Sequence, residues 1–384
     1  MARAWIVSLM DRIADEGLER LRRSQRFRIE REAEQPDAVI VRSRKLPDDI
    51  VNLPNLRCIA RAGAGVDNIP VQAATRRGIP VFNAPGANSN AVKEAVIGSI
   101  IALSRHLLPA SMGLRENAEV DRSRFVGTEI EGRTLGIIGL GMIGGRVAEA
   151  ALGLGMRVLG FDKYLSVPMA LRLPPEVDVL DDIHSVYREA DILTLHVSLS
   201  EETQGMIDAA AIREMKRGAL VINFARAGVV NAADMRRALD ESDLGGYATD
   251  FPKEEYAGCE KVLMTPHIGA STEEAQVNCA QMAAEAIAEF LLDGNVRNSV
   301  NFPSLQLQRV ERAHRLIFAN ENVPGMISRV SSLLAEQGVN IMSMANNSNA
   351  HVGYSIVDCL PAPSGEVVER TRHIGGMLMV RSVG

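Results

Sequence analysis

Paired cysteines, basic blocks and long apolar runs are all missing from this 384-residue chain, and each absence excludes something. Its four cysteines, Cys58, Cys259, Cys279 and Cys359, stand apart with no C-x-x-C among them. Neither a disulfide framework nor a zinc site is indicated, and no metal centre is expected. Net charge is −6, and no block of Lys and Arg stands out. Phosphate contacts need clustered cations, so nucleic acid is not an expected partner. The apolar run from Ala4 to Met10 is too short for a secretory core and is followed by acids. The longest apolar helix-like run, Ala95 to Leu103, is far too short to span a bilayer. The expectation is a cytoplasmic chain without a membrane partner. At 46% hydrophobic and 23% charged residues, sizeable cores can form, and the length suggests two or three domains.

What is present is organised around Thr134 to Asp162. Thr134 to Ile138 reads as a buried strand, and Gly139-Leu140-Gly141-Met142-Ile143-Gly144 follows at once. A helix over Arg146 to Leu154 and a second strand over Met156 to Gly160 lead to Phe161-Asp162. Gly139 allows the tight turn, Gly141 lets backbone approach a pyrophosphate, and Gly144 lets helix pack on strand. The helix N-terminus favours the anion. Asp162 can accept hydrogen bonds from both ribose hydroxyls of an adenosine and would repel a 2′-phosphate, which favours NAD over NADP.

On either side, strands and helices alternate, which predicts parallel sheets with helices on both faces. Trp5-Ile6-Val7, Ala38 to Val41 and Ile79 to Asn83 read as strands of a first domain. After Arg57 to Ala60, the loop Arg61-Ala62-Gly63-Ala64 offers small residues whose backbone N–H groups could surround a carboxylate, with Arg61 adding charge. A plain turn explains the loop equally well. Ser89 to His106 is a long helix expected to cross between domains, and Leu114 to Gly132 reads as a charged loop. His196, at the end of the strand Asp191 to Leu195, reads as a structural imidazole more than a ligand contact. Ala219 to Phe224 is a buried strand ending at Ala225-Arg226, and Lys261 to Thr265 leads to Pro266-His267, with Glu254 in the loop between them. Arg226 and His267 thus sit at carboxyl ends of strands, where open α/β sheets bind ligands. Such an Arg holds a carboxylate, such a His exchanges a proton with a hydroxyl, and an adjacent acid orients the His. The alternative is a surface ion pair with a capping His.

The stretches A-R-A-G-A-G-V-D-N-I (60–69), V-F-N-A-P-G-A-N-S (81–89), G-L-G-M-I-G (139–144), I-N-F-A-R-A-G-V-V (222–230) and T-P-H-I-G-A-S-T (265–272) resemble the D-2-hydroxyacid dehydrogenase family. The resemblance runs from Arg57 to about Asn301. It implies Arg226 as the substrate-binding catalytic Arg, His267 as proton donor and acceptor, and Glu254 as its carboxylate partner. It also implies cofactor contacts from the glycine turn through Met142 and Ile143, from Phe224, Ala225 and Arg226, and from His267, Gly269 and Ala270. The family usually has D-V-F before the Glu, whereas here Ala248-Thr249-Asp250-Phe251-Pro252 stands there. Asp250 is preferred to Thr249 as the residue at the nicotinamide end. Substrate contacts are expected from Arg61, Ala62, Gly63, Ala64 and Arg226, with Arg42 and Arg44 as further cations for a substrate phosphate.

After a linker over 302–312, strands and helices follow in β-α-β-β-α-β order, a ferredoxin-like unit. E-N-V-P-G-M (321–326) and A-E-Q-G-V-N-I (335–341) resemble the ACT regulatory domain that ends 3-phosphoglycerate dehydrogenases. The expected architecture is a flavodoxin-like substrate domain (1–98 and 272–302), a Rossmann NAD domain (99–271) and an ACT domain (312–384). The resemblance implies NAD-dependent oxidation of 3-phosphoglycerate in a homo-oligomer. It also implies an L-serine effector site at Asn320, Asn322 and Asn340, with Asn320 replacing the His often found there. A hydroxypyruvate or glyoxylate reductase is the alternative enzyme, and an NAD(H)-sensing binding protein the alternative class.

Overall fold

The computed structural model describes residues 3–116 and 120–383. They form two compact units, Met1–Asn88 with Glu273–Gly384, and Ser89–Thr272. The first unit holds a five-stranded parallel sheet of β1 (Trp5–Leu9), β2 (Phe27–Arg31), β3 (Ala38–Val41), β4 (Cys58–Arg61) and β5 (Val81–Phe82). Its order is β2-β1-β3-β4-β5. The unbroken apolar run of β3 is buried at every residue, as a central parallel strand covered on both faces requires.

The second unit holds β6 (Thr134–Ile138), β7 (Arg157–Phe161), β8 (Asp178–Val179), β9 (Ile192–Leu195), β10 (Ala219–Asn223), β11 (Leu244–Thr249) and β12 (Val262–Met264). These lie in the parallel order β12-β11-β10-β9-β6-β7-β8. The order reverses between β6 and β9, and ligands bind beyond strand ends at such a switch. The long helix Ser89–Ser104 belongs wholly to this unit, where a boundary near residue 98 was expected. Val92, Val96 and Ile100 are buried in one core with Leu135, Ile137 and Val147, and that burial draws the helix in from its first turn. The expected loop after Leu114 begins instead as the end of a helix, Leu107–Glu116, and includes a 3-10 turn at Arg122–Phe125. No residue of the helix is buried, so its sequence carries no inward apolar stripe to announce it. Part of that expected loop, 117–119, lies outside the described residues.

The chain returns to the first unit through the helix Glu273–Asp293. There β13 (His314–Glu321), β14 (Asn340–Ser348), β15 (Val352–Leu360) and β16 (Met377–Val383) form an antiparallel sheet ordered β14-β15-β13-β16. The helices Met326–Glu336 and Gly365–Arg372 complete the β-α-β-β-α-β order. Leu316, Phe318, Val330, Leu334 and Val367 form the core on one side of the sheet. Ile317, Ala319, Tyr354 and Ile356 enter a different core, shared with Phe82, Phe290 and Leu291. The C-terminal sheet is therefore built into the first unit rather than hung on a loose linker, and segment 302–312 is itself pinned, with Leu305 and Val296 exchanging backbone hydrogen bonds.

Polar groups of this sheet close the carboxyl end of the helix Glu273–Asp293. Arg315 Nη1 donates to the Asp293 carbonyl at 2.9 Å, and Tyr354 Oη to that of Gly294 at 2.6 Å. Arg381 donates to the Phe290 carbonyl and lies 4.6 Å from the centre of its ring. Cations at a helix C-terminus satisfy its orphan carbonyls and oppose its dipole. Arg315 also forks onto Asp358 at 2.6 and 2.8 Å, with neither side chain exposed. All four cysteines are free thiols, and burial pushes the pKa of Cys58 up to about 12. Among the described residues, no single helix is long and apolar enough to cross a membrane, and no group of three or more His, Cys, Asp or Glu could hold a metal.

Candidate active site

The glycine-rich turn follows β6 directly. Gly139 has φ +95°, and a Cβ there would come within 2.6 Å of the His196 carbonyl oxygen. A Cβ on Gly144 would collide with the Gly139 carbonyl. Both glycines are thus required by the chain's own packing. Gly141 differs, because a Cβ there would meet nothing within 4 Å, which leaves its backbone open to a ligand. Gly141 is also the N-cap of the helix Met142–Gly153 and supplies no capping side chain, so the first N–H groups are left for an anion.

At the end of β7, Asp162 is held by the turn it faces. Leu140 N donates to Oδ2 at 2.8 Å and Tyr164 N to Oδ1 at 2.9 Å. The carboxylate lines a cavity of about 700 Å³ together with Gly139, Gly141, Tyr164 and His196. His196 Nε2 lies 3.0 Å from Thr194 Oγ1, in keeping with a structural imidazole. Its Nδ1 is buried without a partner, and burial pushes its pKa down to about 3, so the ring is neutral. An open glycine and an oriented carboxylate at one cavity fit the adenosine half of a dinucleotide.

Arg226, Asp250 and His267 follow β10, β11 and β12, three adjacent strands of the same sheet. Asn223 shapes the first turn: its Nδ2 donates to the Arg226 carbonyl and its Oδ1 accepts from Ala225 N, each at 3.0 Å. Sequence reading missed Asn223, although an Asn closing an apolar strand is a turn signal. The Arg226 guanidinium donates to the Ala225 carbonyl at 2.7 Å. Asp250 is 3% exposed and accepts from Thr265 Oγ1 at 2.6 Å, Ile268 N at 2.7 Å and Gly269 N at 2.7 Å. A Cβ on Gly269 would come within 2.7 Å of Phe224 and 2.9 Å of Asp250 Oδ2, so the loop needs glycine there. Thr249 is fully buried and its hydroxyl accepts from Phe251 N.

His267 is exposed, has φ +57°, and stands edge-on to Phe251 with ring centres 5.1 Å apart. Glu254 opens the 3-10 turn Glu254–Tyr256 and is exposed. Among the described residues, no hydrogen bond or ion pair joins Glu254 to His267. The imidazole stands against the Phe251 ring instead.

In the first unit, two of the N–H groups expected to be open to a carboxylate are occupied. Ala62 N donates to the Val41 carbonyl at 2.8 Å and Gly63 N to that of Arg61 at 2.9 Å. The β3–β4 ladder extends one residue further than the sequence suggested, and the turn closes on itself. Arg61 Nε donates to the Arg42 carbonyl at 3.0 Å, and its Nη1 to that of Gly65. Arg42 reaches Gln276, and Arg44 pairs with Glu32.

The three C-terminal asparagines do not converge within one chain. Asn320 is paired with Gly353 of β15, and Asn340 with Leu360. Seven residues of strand separate those positions, roughly 23 Å. Asn322 Nδ2 donates to the Asn349 carbonyl at 2.8 Å. Asn320 is 4% exposed and its Oδ1 has no partner.

Residues 97–269 match the D-isomer specific 2-hydroxyacid dehydrogenase NAD binding domain. The chain is 33% identical over 344 residues to D-3-phosphoglycerate dehydrogenase of Haemophilus influenzae, which covers 85% of this chain and 81% of that one. It is 36% identical over 303 residues to D-3-phosphoglycerate dehydrogenase of Synechocystis sp., covering 77% and 54%. The chain spans about half the length of that relative and of several others. Among solved structures, the NAD+-bound 3-phosphoglycerate dehydrogenase of Entamoeba histolytica is 28% identical with a TM-score of 0.64, covering 79% of this chain and 100% of that one. Taken with the turn at Gly139 to Gly144 and the carboxylate at Asp162, these likenesses mean that the chain belongs to the D-isomer specific 2-hydroxyacid dehydrogenases and carries their NAD-binding domain.

Proposed function

We propose that the chain is an NAD-dependent D-3-phosphoglycerate dehydrogenase that oxidises 3-phosphoglycerate to 3-phosphohydroxypyruvate, the first step towards L-serine. The placement of Arg226, Asp250 and His267 beyond three adjacent strands of the NAD-binding unit carries this reading. The names of its relatives supply the substrate. Arg226 holds the substrate carboxylate and polarises the neighbouring oxygen. His267 takes the C2 hydroxyl proton during oxidation and returns it in the reverse direction. Glu254 orients His267 and favours imidazolium, and this pair forms when substrate is bound, since catalytic hydrogen bonds commonly tighten in the complex. NAD, when bound, supplies the hydride acceptor. Asp250 offers one remaining acceptor site for the nicotinamide end.

Purified protein given 3-phosphoglycerate and NAD should form NADH, followed by its absorbance. Silence with 3-phosphoglycerate, together with NADH-dependent reduction of hydroxypyruvate or glyoxylate, would replace this reading with a 2-hydroxyacid reductase.

The C-terminal unit acts as an ACT domain that binds L-serine where two copies meet. The spacing of Asn320 and Asn340 supports a shared site, because one chain cannot bring them to one ligand. The buried, unpartnered Oδ1 of Asn320 supports a polar ligand. A homo-oligomer is also supported by Leu107, Leu108, Met112 and Leu114, all exposed on one helix. Calorimetry with millimolar serine should give heat that Asn322→Ala removes. No heat and no inhibition would leave this unit an assembly element.

A further inference from the structure

The cavity at Asp162 is bridged by a second set of charges. Lys163 and Tyr164 follow Asp162 directly and form one wall, while Ser198 to Met206, beyond β9, forms the facing one. Glu202 crosses from the second wall to the first. Its carboxylate accepts from Lys163 Nζ at 2.8 Å and from Tyr164 Oη at 3.0 Å. The ammonium lies 5.4 Å from the centre of the Tyr164 ring, so an acid and an aromatic face share it. Glu202 stands on a braced turn rather than a loose loop: Thr203 Oγ1 donates to the Ser198 carbonyl at 2.6 Å and accepts from Ser200 N at 2.8 Å.

A lysine one residue beyond the ribose-facing carboxylate is where a cation could meet a ribose 2′-phosphate. Asp162 cannot turn away from such a phosphate, because both its oxygens are held by backbone N–H groups. Lys163 is the nearby charge that could offset this repulsion, and Glu202 neutralises it. We infer that Glu202 is a specificity-determining residue for the cofactor, which excludes NADP by occupying Lys163. The inference rests on reading this cavity as the adenosine site. It places the preference for NAD in two carboxylates on facing walls rather than in Asp162 alone.

The test is calorimetric titration of the full chain with NAD and with NADP at one fixed, low salt concentration. Glu202→Gln keeps the side-chain shape and removes the charge, and Glu202→Ala removes the acceptor as well. Both should raise NADP affinity relative to NAD by about tenfold, the lower end of what a charge-assisted hydrogen bond supplies. Adding Lys163→Ala to Glu202→Gln should return the ratio to that of the parent. The gain should also shrink in higher salt, because the groups are exposed. Thermal unfolding of each variant establishes that it is folded before titration. A ratio unchanged in both Glu202 variants, or a gain that survives the loss of Lys163, overturns the inference. A parent that binds no NAD would instead remove the reading of the cavity on which it rests.

Discussion

The side chain of Asp250 fastens the loop that presents His267. Its two carboxylate oxygens take the N–H groups of Ile268 and Gly269, and its own carbonyl accepts from His267 N at 3.0 Å. His267 is mounted in left-handed backbone, φ +57°, a conformation costly for a residue with a Cβ unless its surroundings impose it. Asp250 supplies that constraint from an adjacent strand. Asp250→Ala should therefore lower kcat by about 10²-fold, the cost of misplacing a reacting group by roughly 1 Å. Steady-state kinetics beside a thermal melt would check this. A folded variant with parental kcat would show that the loop holds itself.

Arg315 and Asp358 make a stability prediction. Arg315→Met leaves a carboxylate buried without its cation and should cost about 3–5 kcal/mol. Replacing both partners by apolar residues should recover much of that loss. Burial pushes Asp358 upward, but hydrogen bonds from Arg315 and Val310 outweigh this and hold its pKa below the ordinary value. Its contribution is therefore complete above the unfolded value of about 3.9 and lost as pH falls through the lower folded one. Melting temperatures of the parent, Arg315→Met and the double variant from pH 7 to pH 3 would measure both effects.

His196 acts with the same sign at a higher pH. Its ring is held neutral in the fold down to about pH 3, whereas the unfolded chain binds a proton near pH 6.5. Between those values the unfolded state carries more protons, so stability falls as pH drops. His196→Asn should melt with a shallower pH dependence between 6.5 and 4 than the parent. Identical slopes would mean that solvent reaches the ring.

The segment from Thr134 to Asp162 was legible because its glycines and acid act at fixed local offsets. Arg226 and His267 were legible because each ends a strand. What escaped depends on partners far along the chain. The grip of Asp250 on Ile268 and Gly269 spans eighteen and nineteen residues, and no local pattern signals it. Ala62 and Gly63 look like open donors until β3 and their own turn consume the N–H groups. Arg315 and Arg381 sit in strands where a charge usually implies solvent, yet both are buried against a helix end some 20 to 90 residues earlier. The helix Leu107–Glu116 was missed because its apolar residues face outward.

Oxidation of 3-phosphoglycerate by the parent, His267→Ala and Arg226→Ala at saturating NAD tests the proposed chemistry most directly. The parent should turn over. In His267→Ala, kcat should fall by about 10²–10⁴-fold with little change in KM, the loss typical of a general acid and base. Arg226→Ala should damage kcat and KM together, because the same guanidinium holds the ground-state carboxylate and the charge that develops beside it. Parental turnover in folded His267→Ala would contradict the role of His267 as acid and base.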